Sequence, residues 1–368
     1  MDLQLMAALS NADAIAANED EVRAVLRHHL ASYGLTSQTD GLGSLIFTKE
    51  AADPQFSVMI YGHMDEVGYM VRTITPEGLL RLMVVGGVKP AASHWQNVRI
   101  TTAAGHKLPG MVIRDDTLPA FDQVLCDVGA NSADDVAALG IAIGDMVTFA
   151  TEFHGYAPDG VFGGKALDDR LGCYVGAQLL AELADEKLPF TLHFAATSSE
   201  EVGIRGAKTA TQLIKPDLAF IVDVATFQNP RERSEVNQRQ VGKGPILTHF
   251  DRTLAPNRHL QQFVKATAVA AEIPLQLDMF NGGGTDGGEA HKVGSGIPTV
   301  VTILPCRYGH CAQSLAHTRD VDQMVALYAA MCRQLSAKLV AAAHPFKSFT
   351  TTTRPTIKKH LHPPTAGL

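Results

Sequence analysis

The sequence predicts an α/β protein: a mainly parallel, mixed sheet sandwiched by helices, carrying an inserted small β-rich domain. Three observations predict it. First, apolar runs of strand length at 190–196, 218–222 and 299–304 are separated by stretches of helical periodicity, the alternation that lays strands parallel beneath helices. Second, residues 68–160 change texture, with short β-prone runs at 69–74, 79–85, 98–102 and 111–114 broken by turns such as Pro76-Glu77-Gly78 and Ala104-Gly105. Third, clusters of His, Asp and Glu follow expected strand ends on both sides of that stretch. The stretch therefore reads as an insertion in one larger domain, formed by 1–67 and 161–345.

Taken in order, Asn18 with Glu21 forms a candidate capping box, after which Val22, Val25, Leu26 and Leu30 recur at helical spacing until Gly34. A strand pair is expected at 44–48 and 56–61, the second running into Gly62-His63-Met64-Asp65-Glu66. Within the insertion, Ser132 with Asp135 opens one helix, and 144–149 returns to strand. Beyond it, Lys165-Ala166-Leu167-Asp168-Asp169-Arg170 precedes a helical run to about 185, and the strand at 190–196 ends in Ser198-Ser199-Glu200-Glu201-Val202-Gly203. A helix at 207–214, a strand at 218–222 ending at Asp223, a helix at 259–271, strands at 275–280 and 299–304, and one long helix at 320–342 complete the domain. The Thr-, Pro-, Lys- and His-rich residues 346–368 are expected to be a flexible tail.

The bulk numbers narrow the function. A chain of 368 residues, 46% apolar, can bury a large core. A formal charge of −7 without basic clusters gives no footprint for nucleic acid or an anionic membrane. The start Met1-Asp2-Leu3-Gln4 lacks a basic leader and no apolar run is long enough to cross a bilayer, so a cytoplasmic location is expected. Five scattered cysteines without a Cys-x-x-Cys pair read as reduced core residues.

Chemistry concentrates at the strand ends. His63, Asp65, Asp168, Asp169, Glu200, Glu201, Asp223 and His310 supply imidazole and carboxylate but no thiolate, a set suited to zinc, cobalt or manganese rather than a structural zinc knot. Each has a plain alternative. Glu200-Glu201 fits the first turn of a helix, and Asp168-Asp169 fits an N-cap. The loop 281–288 is glycine-rich but lacks the Lys-Ser/Thr ending of a phosphate loop, and reads as a substrate-lining loop. Its Asp286 orders that pocket, approaches a free amine, or is simply buried and structural; Asp169, Arg205 and Arg307 have ordinary structural readings as well.

Together, Gly62-His63-Met64-Asp65-Glu66-Val67-Gly68, residues 165–170, Ser199-Glu200-Glu201-Val202-Gly203, Val222-Asp223, Gly283-Gly284-Thr285-Asp286 and Arg307-Tyr308-Gly309-His310 resemble, in this order, the dinuclear metalloaminopeptidases of the glutamyl and deblocking type. The likeness covers the chain to about residue 344 and is nearest the bacterial branch, some of whose relatives carry an endoglucanase label. It implies a zinc-peptidase-like fold with two divalent ions, zinc or cobalt before manganese. Asp168 would bridge them, His63 and Asp223 would complete one ion's ligands, and Glu201 and His310 the other's. Glu200 would be the general base and Asp65 would orient the His63 ring. The likeness also implies a cis peptide after Asp168, short peptides as substrates, and a homo-oligomer built from dimers up to a tetrahedral dodecamer through the insertion. Where many relatives follow the last histidine with Ser-Pro, this chain has Cys311-Ala312.

The implied reaction is hydrolysis of an N-terminal peptide bond. A metal-dependent carboxypeptidase or amide deacylase would use a similar centre. A glycoside hydrolase needs only a carboxylate pair and leaves the histidines unexplained.

Overall fold

The computed structural model describes residues 1–227, 230–232 and 234–344; the expected tail at 346–368 lies outside the described residues. The chain opens with helices α1 (Leu3–Asn11) and α2 (Asp20–Leu30) and strands β1 (Thr36–Thr39), β2 (Leu45–Lys49) and β3 (Ser57–His63). Six strands follow, β4 (Gly68–Ile74), β5 (Leu80–Val85), β6 (Gln96–Thr101), β7 (Lys107–Arg114), β8 (Val124–Asp127) and β9 (Met146–Phe149), with α3 (Ala133–Ala138) between the last two. Next come β10 (His154–Gly155), β11 (Val161–Gly164), α4 (Leu167–Glu182), β12 (Thr191–Thr197), α5 (Arg205–Ile214) and β13 (Leu218–Phe227). The chain then adds β14 (Ile246–Thr248), α6 (Arg258–Ala270), β15 (Gln276–Asp278), α7 (Gly287–Ala290), β16 (Thr299–Arg307), β17 (Ser314–His317), α8 (Thr318–Gln334) and α9 (Ala337–Ala343).

One large sheet runs β1-β2-β12-β3-β13-β16-β17-β11-β10, with β14 paired to β16 and β15 to β14. Its centre, β12, β3, β13 and β16, is parallel, and the flanking pairs are antiparallel except β14 with β15. Parallel strands need both faces covered, and the central strands are accordingly apolar on both. Helices α1, α2, α4, α6 and α8 bury one face around Ile60, Leu171, Phe194, Phe220 and Met324. Helices α5 and α7 cover the other through Ala207, Ala210 and Ala290. At Gly62 an added Cβ would lie 2.6 Å from the backbone carbon of Gly172. This contact lets α4 lie directly on β3, which brings the end of β3 and the start of α4 to one place.

The six strands β4–β9 close a separate barrel, in the order β4-β5-β8-β7-β6-β9, around Tyr69, Val98, Val112 and Phe149. Ser132 caps α3 by accepting from the Asp135 amide, as its sequence predicts. The pair β10 and β11 returns to the large sheet.

Several local expectations give way to longer-range pairing. The strands expected to pair, β2 and β3, are separated by β12, which bonds to both. Asn18 does not cap α2; Glu19 holds the N-cap position and its buried carboxylate is spent on the Ser198–Ser199 loop instead. The strand at 218–222 does not stop at Asp223 but runs on to Phe227, because β16 continues to offer partners after β3 has ended. The single helix expected at 320–342 is two: Leu335 is extended, and Ser336 caps α9 by accepting from the Leu339 amide.

Candidate metal centre

The predicted site residues converge at the carboxyl ends of the parallel strands, where an open α/β sheet places its ligands. His63 is the last residue of β3, Glu200 and Glu201 follow β12, Asp223 lies in β13 just beyond its pairing with β3, and Asp168 starts α4. His310 arrives on the turn after β16. Holding the groups there takes unusual backbone: Ala166, Ser199 and His310 all have positive φ, and the Asp168–Asp169 peptide is cis, as the resemblance implied. Each left-handed non-glycine residue costs about 1–3 kcal/mol, so the surroundings must impose it.

The Asp168 carboxylate sits between two imidazoles, with Oδ1 3.1 Å from His63 Nε2 and Oδ2 3.3 Å from His310 Nε2. The opposite nitrogen of each ring faces a carbonyl: His63 Nδ1 donates to the Asp65 carbonyl at 3.0 Å and His310 Nδ1 to that of Gly87 at 3.0 Å. A carbonyl only accepts, so in the neutral ring the proton is fixed on Nδ1 and the Nε2 lone pair points at the shared centre, as in metal-ligating histidines. Glu201 Oε1, 3.6 Å from His310 Nε2, is buried without a hydrogen-bond partner, and Glu200 Oε2 lies 4.0 Å from His63 Nε2.

Electrostatics tell the same story. Burial pushes the carboxyls of Glu200, Asp223 and Glu201 upward, that of Glu201 to about 8, with like charge from the other carboxylates adding to it. Burial opposes charging of His63, yet its contacts with Asp168 and Asp65 hold it well above the usual histidine range. Asp168 is likewise opposed by burial but is held low by His310 and His63. Buried carboxylates crowded this closely are costly without a compensating cation.

Potential ligand atoms of His63, Asp168 and Glu201 lie within 4.8 Å of one another, as do those of His63, Asp169 and Asp223. The donor set, the orphaned Glu201 oxygen and the oriented rings all fit divalent metal. Asp169, by contrast, already accepts from the amides of His63 (3.1 Å) and Gly172 (2.9 Å), so its role is to hold backbone. Asp65 differs from expectation in detail. Its carbonyl takes the closer contact to His63, while its carboxylate, 3.5 Å from Nδ1, accepts from the amides of Glu200 (2.9 Å) and Glu201 (3.1 Å). It thus ties two ligand-bearing loops together. Asp286 is buried, accepts from Thr197 Oγ1 at 2.5 Å, and leaves Oδ1 unpartnered.

Sequence reasoning missed the strap Gly86-Gly87-Val88-Lys89, which leaves the barrel after β5 and crosses the site. A Cβ at Gly87 would lie 2.7 Å from His310 Nδ1, and one at Gly86 3.2 Å from Glu201 Cβ. The glycine doublet was its visible signal. It also missed the buried ionic cluster behind the site, in which Lys165 pairs with Glu66 (2.6 Å) and Asp13 (3.1 Å), and Arg170 with Glu66 (3.2 Å). The site opens into a cavity of about 540 Å³, whose lining also includes Lys89, Ile204, Val224, Arg239, Phe280 and the glycines of the 282–284 loop.

Similarity to known proteins agrees with this geometry. The chain is 32% identical over 350 residues to the glutamyl aminopeptidase of Lactococcus lactis, covering 91% of this chain and 96% of that one. The structure of a TET aminopeptidase from a marine-sediment thaumarchaeote superposes with a TM-score of 0.88 at 30% identity, covering 93% of this chain and 98% of that one. The Pyrococcus horikoshii TET1 peptidase, described as able to assemble into a tetrahedron or a large octahedral shell, gives 0.81 at 25% identity over 90% of this chain and 99% of its own. With residues 43–327 also matching the family model for M42 glutamyl aminopeptidases, the chain belongs to that family of metal-dependent peptidases.

Proposed function

We propose that this aminopeptidase releases N-terminal residues from short peptides at a centre of two divalent ions, zinc or cobalt before manganese. In this reading Asp168 is shared, His63 and Asp223 serve one ion, and Glu201 and His310 the other. The observation that carries it is the pair of imidazoles, each locked by a carbonyl at Nδ1 and each presenting Nε2 to one oxygen of Asp168. Ions bound there would polarise the scissile carbonyl and lower the pKa of a water.

Glu200 is the general base: it reaches over the same centre without being needed as a ligand, takes the water's proton and returns it to the leaving amine. Asp65 fixes Glu200 by holding its backbone amide, and the Asp65 carbonyl fixes the His63 tautomer. Support for cleavage from the amino end comes from the family, whose named relatives are aminopeptidases. We assign 1–67 and 161–345 to the catalytic domain and the barrel to assembly. Its exposed Trp95, Phe121 and Ile143 suit subunit contacts, in line with the particles formed by the Pyrococcus horikoshii relative. No described helix is long and apolar enough to cross a membrane; we place the protein in the cytoplasm.

The test is hydrolysis of aminoacyl anilides against their N-acetylated counterparts, by protein stripped of metal and reloaded with zinc, cobalt or manganese. Cleavage of free-amine substrates alone, restored by metal, is expected. Preference for the blocked series would favour a deacylase, and activity that survives chelation would refute the metal reading.

A further inference from the structure

We propose that Glu19 is a positioning residue for the reaction: from the segment before α2 it fixes the backbone that carries Glu200, and it serves the base rather than the metal. The inference rests on the reading of Glu200 as general base and deepens it.

The turn after β12 is held in place by side chains. Four consecutive amides are gripped in this way: that of Ser198 donates to Ser44 Oγ at 3.2 Å, that of Ser199 to Glu19 Oε1 at 3.2 Å, and those of Glu200 and Glu201 to Asp65 Oδ1 and Oδ2 at 2.9 and 3.1 Å. Within this run Ser199 has φ 59°, a left-handed conformation that a non-glycine residue keeps only where its surroundings impose it. Glu19 imposes it, because the same Oε1 also accepts from Ser198 Oγ at 2.7 Å and so holds two adjacent residues of the turn.

The grip is itself rigid. Glu19 is fully buried, its Oε1 takes the Ala17 amide at 2.8 Å, and its Oε2 accepts from Arg23 Nη1 at 3.2 Å, a nitrogen that also donates to the Gly43 carbonyl at 2.9 Å. Glu19 stands behind the turn, outside the cavity lining, so it acts through the backbone and not on the substrate.

The two glutamates of the turn depend on Glu19 unequally. Glu201, as a ligand, is drawn back into place by its ion. Glu200 has no ion to recentre it and owes its position to the backbone alone. A base displaced by about 1 Å costs roughly 100-fold in rate, so loosening the turn registers in kcat before it registers in metal binding.

The experiment measures kcat and KM per metal-loaded subunit, with metal content by elemental analysis, on the aminoacyl anilide that the wild type cleaves fastest. The proteins are the wild type, Glu19→Met, Glu19→Gln, Glu200→Gln and the Glu19→Met/Glu200→Gln double variant. Methionine fills the space and leaves Arg23 its bonds to Gly43 and Asp20, while glutamine keeps an oxygen acceptor for Ser198 and Ser199. Glu19→Met is expected to lower kcat by about 10- to 100-fold with KM within about threefold of wild type and metal content unchanged, and Glu19→Gln to recover most of the loss. In the Glu200→Gln background the same methionine should change kcat by less than about twofold, because the group it positions is gone. An equal fall in both backgrounds, a change confined to KM or metal content, or an unchanged kcat would overturn the inference. Should Glu19→Met not fold, Glu19→Asp, which keeps the charge and withdraws it by one methylene, carries the same comparison with the same outcomes. Near-normal turnover by Glu200→Gln would instead remove the base reading, and the role of Glu19 with it.

Discussion

Replacing Arg170 with methionine probes the support beneath the metal centre. The side chain is fully buried and makes four contacts: Nε to the Met64 carbonyl (2.7 Å), Nη1 to those of Leu9 (2.5 Å) and Ala12 (2.9 Å), and Nη2 to Glu66 (3.2 Å). Methionine keeps most of the apolar stem and withdraws all four. Ala12 and Glu66 retain Lys165 at 2.7 and 2.6 Å, so the groups left without a partner are the Met64 and Leu9 carbonyls. At about 1–3 kcal/mol for each buried orphan, the loss is about 2–6 kcal/mol. That agrees with the 3–5 kcal/mol typical of removing one partner from a buried charge pair. With an unfolding entropy near 2.1 cal/mol/K per residue, this is roughly a 3–8 °C fall in melting temperature. The assay is thermal and urea unfolding of metal-free protein, with Glu66→Gln and the double variant completing a cycle. Because Met64 follows His63, metal affinity should weaken as well. A loss under about 1 kcal/mol, or strict additivity with Glu66→Gln, would refute the idea that this cluster is a coupled brace.

Gly87→Ala places a Cβ against His310 Nδ1, 2.7 Å away, and displaces the carbonyl that orients the ring; a 10–100-fold fall in metal affinity is expected from competition with a chromogenic chelator, in line with loss of other outer partners of metal-bound histidines. Glu200→Gln should retain its metal by elemental analysis while turnover falls between about 100- and 10,000-fold; near-normal turnover would remove Glu200 as the base. Burial holds His193, whose Nδ1 faces Thr48 Oγ1 at 2.8 Å, down to about 4. The neutral ring is thus favoured on folding, so stability is complete above the unfolded value near 6.5 and is lost as pH falls toward 4, by up to about 3 kcal/mol. Urea midpoints from pH 7 to 4 should show that slope and His193→Gln should flatten it.

The chemistry of this chain was legible because strand ends carry it: the polar clusters at His63, Glu200 and His310 each follow an apolar run, and that adjacency survives without knowledge of strand order. Pairing was less legible, since nothing local to 44–48 and 56–61 announces that 191–197 will lie between them. Asp223 was misplaced at a strand end for the same reason, the extension to Phe227 depending on β16, about 80 residues away. Lys165, Arg170 and Glu66 stand in the sequence only as members of the motif stretches, with nothing to pair them, because burial of an ion cluster is a property of the assembled core. The Gly86-Gly87 strap gave a turn signal but not its destination.

The central claim is that Asp168 stands between two metal positions, one shared with His63 and Asp223 and the other with Glu201 and His310. The most direct measurement is an anomalous difference map from crystals of the protein grown with zinc. Two peaks flanking the Asp168 carboxylate, one against His63 and Asp223 and the other against Glu201 and His310, are the predicted result. A single peak, or peaks held by other residues, would contradict the account.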